Sequence, residues 1–230
     1  MIDIVAFDAD DTLWHNETLY SITHKKYGEL LSAYHTKRWI EKKLFETEMR
    51  NLNYYGYGIK GFTLSMIETA VELTEGRISG GEIAKILELA RNMLTTPVEL
   101  LENAAETVKK VAGYYPLMLI TKGDLFDQES KIAQSGLSDY FKYIEILTRK
   151  TPETYRDILD KYSIDAERFL MVGNSLRSDI LPVLEVGGRA VFIPYPLCWE
   201  HEKVSESDLH QKTYHQLENI AQLPDLLKSI

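Results

Sequence analysis

The chain has 230 residues, of which 44% are apolar and 27% charged, a composition typical of one large globular domain or of a core domain that carries a smaller one. Its formal net charge of −9 argues against a nucleic-acid binder, because phosphate contacts need clustered Lys and Arg. The sequence contains no apolar run near the roughly 20 residues that cross a bilayer, and its single cysteine, Cys198, excludes an internal disulfide.

The first predicted element is a strand at residues 4–7, whose sequence Ile-Val-Ala-Phe is typical of strands buried on both faces. Residues 15–95 contain no comparable run, and apolar residues recur there at helical spacing. The last helix of this segment opens with a capping box formed by Ser79 and Glu82. We therefore predict a helical domain inserted after the first strand.

Strands and helices alternate beyond the insert. Four more buried strands are predicted at residues 117–120, 143–147, 169–172 and 190–193. Helices are predicted over residues 97–112, from Thr151 and Pro152 onward, and over residues 176–186 before two glycines. This alternation predicts an α/β fold with a parallel sheet. We assign residues 1–14 and 96–230 to a Rossmann-like core and residues 15–95 to a helical cap.

Three carboxylates follow the first strand within four positions, in the sequence Phe-Asp-Ala-Asp-Asp-Thr-Leu-Trp at residues 7–14. Unpaired carboxylates at the mouth of a buried strand cost stability unless a cation or a hydrogen-bond network compensates them. Asp8 and Asp10 are spaced to address the same crevice and could bind Mg²⁺. The alternative is that Asp10, Asp11 and Thr12 are turn and cap residues that lead into the insert.

Polar residues also follow three other predicted strands. Thr121 comes after the second strand and Lys150 after the third, each ahead of a helix. The fourth strand is followed by Gly-Asn-Ser-Leu-Arg-Ser-Asp at residues 173–179, where Asn174 and Asp179 supply side-chain oxygens. Because ligands of parallel sheets bind outside the carboxyl ends of the strands, this set predicts a phosphate site.

Taken together and in this order, the four segments resemble the four motifs of the haloacid dehalogenase superfamily. The resemblance covers residues 2–195, and the insert looks like the helical cap that this family places after its first motif. It implies that Asp8 is a nucleophile that forms an aspartyl phosphate, and that Asp10 protonates the leaving oxygen and then deprotonates water. It also implies that Thr121 and Lys150 hold the phosphoryl oxygens.

The resemblance further implies a magnesium ion bound by Asp8, by the Asp10 carbonyl oxygen and by Asn174 and Asp179. Dehalogenases of this superfamily lack an aspartate two residues after the nucleophile, so Asp10 favours phosphoryl chemistry. Asn174 departs from the usual acidic residue, and we expect Asp179 to carry more of the metal binding. Asp11 is expected to order the loop.

The insert contains an aromatic segment at residues 53–62 that includes Tyr54, Tyr55, Tyr57 and Phe62, with Lys60 beside them. It is either a loop that selects the substrate or a turn whose aromatic rings pack between helices. The sequence does not decide between these two interpretations.

We therefore expect a magnesium-dependent phosphatase that acts on a small phosphorylated metabolite, such as a sugar phosphate or a nucleotide, with no nucleic-acid or membrane partner. The first residues lack a signal-peptide pattern, and the single cysteine fits a reducing compartment, so we expect a cytoplasmic enzyme. The alternatives are a phosphomutase of the same superfamily and a weakly active module that binds phosphorylated metabolites. The substrate and the oligomeric state are left open.

Overall fold

The computed structural model describes residues 2–209 and 212–230. The strands in this part of the chain are β1 (Ile4–Phe7), β2 (Leu117–Lys122), β3 (Phe141–Leu147), β4 (Phe169–Gly173), β5 (Arg189–Phe192) and β6 (His215–Gln216). They form one parallel sheet in the order β3, β2, β1, β4, β5, β6. This sheet confirms the predicted α/β fold.

The helices connect the strands and also fill the long segment after β1. They are α1 (Glu17–Leu30), α2 (Lys37–Tyr55), α3 (Ile59–Leu73), α4 (Gly80–Thr95), α5 (Ala104–Ala112), α6 (Leu125–Ser135), α7 (Pro152–Tyr162), α8 (Leu181–Glu185), α9 (Glu206–Leu209) and α10 (Leu223–Leu226). None of the helices in residues 2–209 and 212–230 has the length and apolar character needed to cross a bilayer.

Alternate residues of the central strand β1 face two different apolar clusters, as the pleat of a strand requires. Val5 and Phe7 belong to a cluster with side chains of α5, α6 and α10. Ile4 and Ala6 belong to a second cluster with side chains of α7 and α8. The sheet is therefore covered by helices on both faces, which explains why its central strands are apolar throughout.

The chain divides into two compact units. One consists of Met1–Glu17, Val98–Lys122 and Gln128–Ile230 and contains the sheet, and the other consists of Thr18–Pro97 and Gly123–Asp127. The second unit has its own apolar core, in which the Tyr27 hydroxyl donates to the Met66 carbonyl oxygen at 2.7 Å. The predicted capping box of Ser79 and Glu82 is present at the start of α4. The use of residues 15–95 as a cap stays a prediction.

The predicted helix over residues 97–112 is wrong in its first half, since α5 begins only at Ala104. The Leu101 amide donates to the Leu13 carbonyl oxygen at 2.9 Å, and the His15 amide donates to the Glu99 carbonyl oxygen at 3.0 Å. These bonds hold the segment extended beside the chain that follows β1. Asn103, with a φ of 63°, then turns the backbone into α5.

The predicted helix over residues 176–186 is also irregular. Its first part, Leu176–Ile180, is a π-helical turn, and α8 follows it. Single π turns occur mostly inside α-helices and are frequent at functional sites. Here the turn carries Asp179, the last residue of the fourth motif.

Candidate active site

The predicted site residues lie at the carboxyl edge of the sheet. Asp8 follows β1 directly, and its amide donates to the Val172 carbonyl oxygen of β4 at 2.9 Å. Thr121 lies within β2, one residue before its end, and Asn174 follows β4 directly. Because neighbouring parallel strands are in register, these positions share one edge of the sheet.

Lys150 joins two of the predicted carboxylates. Its Nζ donates to Asp8 Oδ1 at 2.5 Å and to Asp179 Oδ1 at 2.7 Å, and its side chain is only 1% exposed. Burial and the neighbouring Asp179 raise the pKa of Asp8 to about 7, although Lys150 opposes this shift. Burial alone would lower the pKa of Lys150, but Asp179 and Asp8 raise it, so the ammonium stays charged.

A glycine makes the position of Asp179 possible. A Cβ atom on Gly173 would lie 2.3 Å from Asp179 Oδ2, so the carboxylate occupies the space that any other residue would fill. The same oxygen accepts the Ser175 amide at 3.0 Å. The missing side chain at Gly173 therefore leaves room for the Asp179 carboxylate.

Polar atoms converge on the second oxygen of Asp8. Thr12 Oγ1 donates to Asp8 Oδ2 at 3.0 Å. One end of the Asn174 amide lies 3.2 Å from Asp8 Oδ2 and 3.3 Å from both the Asp10 carbonyl oxygen and Thr12 Oγ1. If the amide nitrogen occupies that end, it donates to these oxygens. If the amide oxygen occupies it, the oxygens face one another and need a cation between them.

This oxygen set fits magnesium, which takes carboxylate, carbonyl and amide oxygens as ligands. In the described part of the chain, no group of three or more His, Cys, Asp or Glu residues is arranged to hold a metal. The converging oxygens instead come from one carboxylate, one backbone carbonyl, one amide and one hydroxyl. Asp179 lies against Lys150, and its predicted role as the second anionic ligand stays a prediction.

Asp10 is held by three donors, of which Gln128 and Lys131 lie outside the four motifs. Trp14 Nε1 donates to Asp10 Oδ1 at 2.7 Å, Gln128 Nε2 donates to Asp10 Oδ2 at 2.8 Å, and Lys131 Nζ donates to both oxygens at 2.8 Å. Gln128 Oε1 in turn accepts the buried hydroxyl of Thr121 at 3.1 Å. The spacing of Gln128 and Lys131 on α6 is a signal that could have predicted two donors on one helix face.

Asp11 fixes the backbone that leaves the site. It adopts a φ of 62°, and its carboxylate accepts the amides of Asn16 and Glu17 at 2.8 to 3.1 Å. Burial raises the pKa of Asp11 to about 7, although these backbone bonds oppose the shift. Asp11 orders the loop, as expected from the sequence.

A second network lies on the segment after β5. Glu202 accepts Ser175 Oγ at 2.5 Å and Ser178 Oγ at 2.7 Å, and it also forms an ion pair with Lys122. Burial alone would raise the pKa of Glu202, but Lys122 and the two hydroxyls lower it to about 2. Glu202 therefore ties this late segment to the ends of β2 and β4. No motif in the sequence indicated it.

The aromatic segment of the second unit is partly exposed. Tyr54 and Tyr55 lie at the end of α2, with exposed fractions of 77% and 51%. Lys60 Nζ donates to Asp124 Oδ1 at 2.9 Å within the same unit. Phe62 of the same segment is buried in the apolar core of this unit. Packing between helices therefore accounts for Phe62 but not for the two tyrosines, and substrate selection by this segment stays a prediction.

A sequence profile of the haloacid dehalogenase-like hydrolases matches residues 2–187. The chain belongs to this family. A haloacid dehalogenase-like hydrolase from Xanthomonas campestris is 42% identical, with a TM-score of 0.88, and the match covers 99% of this chain and 91% of that one.

Two further relatives are a phosphatase and a hydrolase whose structure contains magnesium. A glyceraldehyde 3-phosphate phosphatase from Pyrococcus furiosus is 25% identical over 99% of this chain and 92% of its own. The hydrolase YfnB from Bacillus subtilis, solved bound to magnesium, has the same fold, with a TM-score of 0.70, 15% identity and 99% coverage of both chains. This chain is therefore a haloacid dehalogenase-like hydrolase with a phosphatase among its relatives.

Proposed function

We propose that this hydrolase is a magnesium-dependent phosphatase that removes the phosphoryl group of a small phosphomonoester through an aspartyl phosphate on Asp8. The observation that carries the proposal is the environment of Asp8. One oxygen pairs with the buried Lys150, and the other meets Thr12 and the Asn174 amide. A cation and several donors thus surround the carboxylate that would attack phosphorus.

The residues of the site have separate roles in the proposed reaction. Asp8 attacks phosphorus, and the bond to the leaving oxygen breaks as Asp10, which must be protonated at the start of this step, gives that oxygen its proton. Asp10 then takes a proton from the water that attacks the aspartyl phosphate, which releases phosphate and restores Asp8. Thr121 and Lys150 bind the phosphoryl oxygens in this scheme.

Magnesium would be held by Asp8, the Asp10 carbonyl oxygen, Asn174 and Asp179, the residues that the family resemblance implies. A bound magnesium ion neutralises charge on the phosphoryl oxygens. Lys150 and Thr12 keep the Asp8 carboxylate in place in this chain. Asn174 must then turn its amide oxygen toward Asp8 and Asp10, which is one of its two possible orientations.

The substrate is proposed to be a small phosphorylated metabolite. The support is the similarity to a glyceraldehyde 3-phosphate phosphatase, together with an acidic chain that does not favour a polyanionic partner. A cytoplasmic location is part of the proposal and is supported by the single cysteine. Tyr54, Tyr55, Tyr57 and Lys60 are the candidate residues for substrate selection.

A screen of phosphorylated metabolites tests the proposed function. The purified chain is assayed with and without magnesium, phosphate release is measured, and a 2-haloacid with halide detection is included as a competing reaction. We expect phosphate release that depends on magnesium and is lost in Asp8→Asn. The variant Asp139→Asn, which changes an exposed aspartate of the same unit, is the control and should keep parental activity.

The other outcomes of this screen point to different functions. Interconversion of two phosphate isomers without phosphate release would favour a phosphomutase. Binding without turnover would favour a regulatory module, and halide release would favour a dehalogenase. Each of these outcomes contradicts the proposed phosphatase.

A further inference from the structure

We propose that Lys131 and Gln128 of α6 are positioning residues that hold the Asp10 carboxylate in the orientation used in the reaction. The proposal deepens the proposed function and rests on it, since Asp10 is assigned there to proton transfer. Neither residue belongs to the four motifs, and both were identified only from their contacts with Asp10.

Four hydrogen bonds from three side chains restrict the rotation of the Asp10 carboxylate. Lys131 Nζ lies 2.8 Å from both oxygens, Gln128 Nε2 lies 2.8 Å from Oδ2, and Trp14 Nε1 lies 2.7 Å from Oδ1. The Asp10 side chain is 20% exposed and the Lys131 side chain 14% exposed. A carboxylate this accessible would sample several orientations in water, so the donors select one of them.

Gln128 adds a connection to a second residue of the site. Its Nε2 must donate to the Asp10 carboxylate, which is only an acceptor when ionised, so its Oε1 is left to accept the Thr121 hydroxyl. Thr121 is the residue proposed to bind a phosphoryl oxygen, and its single hydroxyl proton would then turn from Gln128 Oε1 to that oxygen. One amide therefore fixes the distance between the proton-transfer group and the phosphoryl binding group.

Lys131 also connects Asp10 to the chain that leaves the site. Its Nζ donates to the side-chain oxygen Oδ1 of Asn16 at 3.1 Å, and the backbone amide of Asn16 donates to the Asp11 carboxylate. The ammonium thus holds Asp10 against a backbone that is itself ordered. A misplacement of about 1 Å in a reacting group costs on the order of 10²-fold in rate, so this order matters for the reaction.

If the ion pair between Lys131 and Asp10 had only a structural role, its removal would have different effects. A partly exposed pair contributes about 0–1 kcal/mol to stability and would leave the kinetics unchanged. A lysine that binds substrate directly would change KM. A positioning residue lowers kcat with little change in KM, because it acts on the transition state and not on substrate binding.

The test uses Lys131→Met, Lys131→Arg and the control Lys109→Met, which removes an exposed lysine of α5. We expect Lys131→Met to lower kcat by about 10- to 100-fold with KM within about twofold of the parent. Lys131→Arg should recover most of the rate, because a guanidinium also binds both oxygens of a carboxylate. Lys109→Met should match the parent.

A comparison of two substrates separates positioning from a general loss. An alkyl phosphate needs a proton at its leaving oxygen, whereas p-nitrophenyl phosphate has a good leaving group and needs none. We expect Lys131→Met to lower kcat/KM more for the alkyl phosphate than for p-nitrophenyl phosphate. Equal losses for both substrates would contradict the proposal, as would an unchanged kcat.

An NMR measurement tests the placement of Asp10 without any turnover. The chain has three tryptophans, and the indole N–H signal of Trp14 is assigned by its absence in Trp14→Phe. We expect this signal to shift in Lys131→Met and to stay near its parental position in Lys131→Arg and Lys109→Met. An unshifted signal in Lys131→Met would overturn the proposal. A parent chain that hydrolyses no phosphomonoester would instead contradict the proposed function, and the indole signal would still decide the role of Lys131.

Discussion

Replacing Lys150 by methionine removes a buried cation that contacts both Asp8 and Asp179. Methionine keeps most of the side-chain length but has neither a charge nor a hydrogen-bond donor. The parental ammonium lies 2.5 Å from Asp8 Oδ1 and 2.7 Å from Asp179 Oδ1. The variant Lys150→Met therefore leaves two buried carboxylates without their shared cation.

The expected loss of stability follows from these distances and from burial. With an effective dielectric constant of about 20, each contact contributes a gross attraction of about 6–7 kcal/mol. Desolvation of the buried ammonium and the repulsion between the two carboxylates offset much of this attraction. Removing one partner of a buried pair costs about 3–5 kcal/mol, and we expect the upper part of that range because Lys150 serves two carboxylates. The total stability of a domain is about 5–15 kcal/mol, so the variant should still fold.

The loss should depend on pH. The pKa of Asp8 is raised from 3.8 to about 7 by burial and by Asp179, and Lys150 opposes this rise. Lys150→Met removes that opposition, so the pKa rises further. A carboxyl group with a raised pKa in the folded state contributes stability below its unfolded pKa and loses it as the pH rises through its folded pKa. The part of the deficit that comes from Asp8 should therefore be small near pH 5 and grow through pH 8, in addition to the loss of the Asp179 contact, so the total deficit should be larger at pH 8 than at pH 5.

Urea unfolding of the parent and Lys150→Met at pH 5, 7 and 8, with a chelator present, measures this effect. Lys109→Met is the control for loss of a lysine and should unfold like the parent. A deficit below about 1 kcal/mol that is the same at all three pH values would refute the reasoning, because a solvent-exposed pair behaves in that way.

Five other variants test the site. Asp10→Asn should lower phosphatase kcat by about 10²- to 10⁴-fold, and a parental rate would remove Asp10 from proton transfer. Activity is titrated with magnesium at one pH. Asp179→Ala should raise the magnesium concentration that activity requires more than Asn174→Ala does, and Asn174→Asp should lower that concentration. If Asp179→Ala titrates like the parent, Asp179 does not bind the metal. Gly173→Ala should lower stability by about 1–3 kcal/mol, because its Cβ would meet Asp179, and an unchanged unfolding midpoint would contradict that packing.

The central strands could be predicted because burial on both faces makes them apolar throughout. The strand β6 could not, since His215 and Gln216 are exposed and the strand is only two residues long. The first half of the predicted helix 97–112 matched a helical apolar pattern, but backbone bonds to residues 13–15 outweigh that local preference. Tertiary hydrogen bonds of this kind leave no periodic signal in the sequence.

The sequence allowed prediction of those site residues that lie at the ends of strands. Asp8, Thr121 and Asn174 follow or end strands, and parallel pairing brings them to one edge. The direct contact of Lys150 with Asp8 and Asp179 was not predictable, because it depends on the loop after β3 and on the π-helical turn.

The further contacts of the site depend on elements whose position the sequence does not reveal. Lys131 reaches Asp10 only because of the rotation of α6 about its axis. Glu202 reaches Ser175 and Ser178 from a segment more than twenty residues later in the chain. Neither Lys131 nor Glu202 belongs to a recognisable motif, so only the structure identifies these contacts.

The formation of an aspartyl phosphate on Asp8 tests the central claim most directly. The variant Asp10→Asn is mixed with magnesium and p-nitrophenyl phosphate, quenched in acid, digested and examined by mass spectrometry. Because this substrate needs no leaving-group proton while hydrolysis of the intermediate needs Asp10, we expect one phosphoryl group to accumulate on the peptide that contains Asp8. The double variant with Asp8→Asn should carry none. Turnover by the parent with no phosphoryl group on Asp8, or with the group on another residue, would contradict the proposed mechanism.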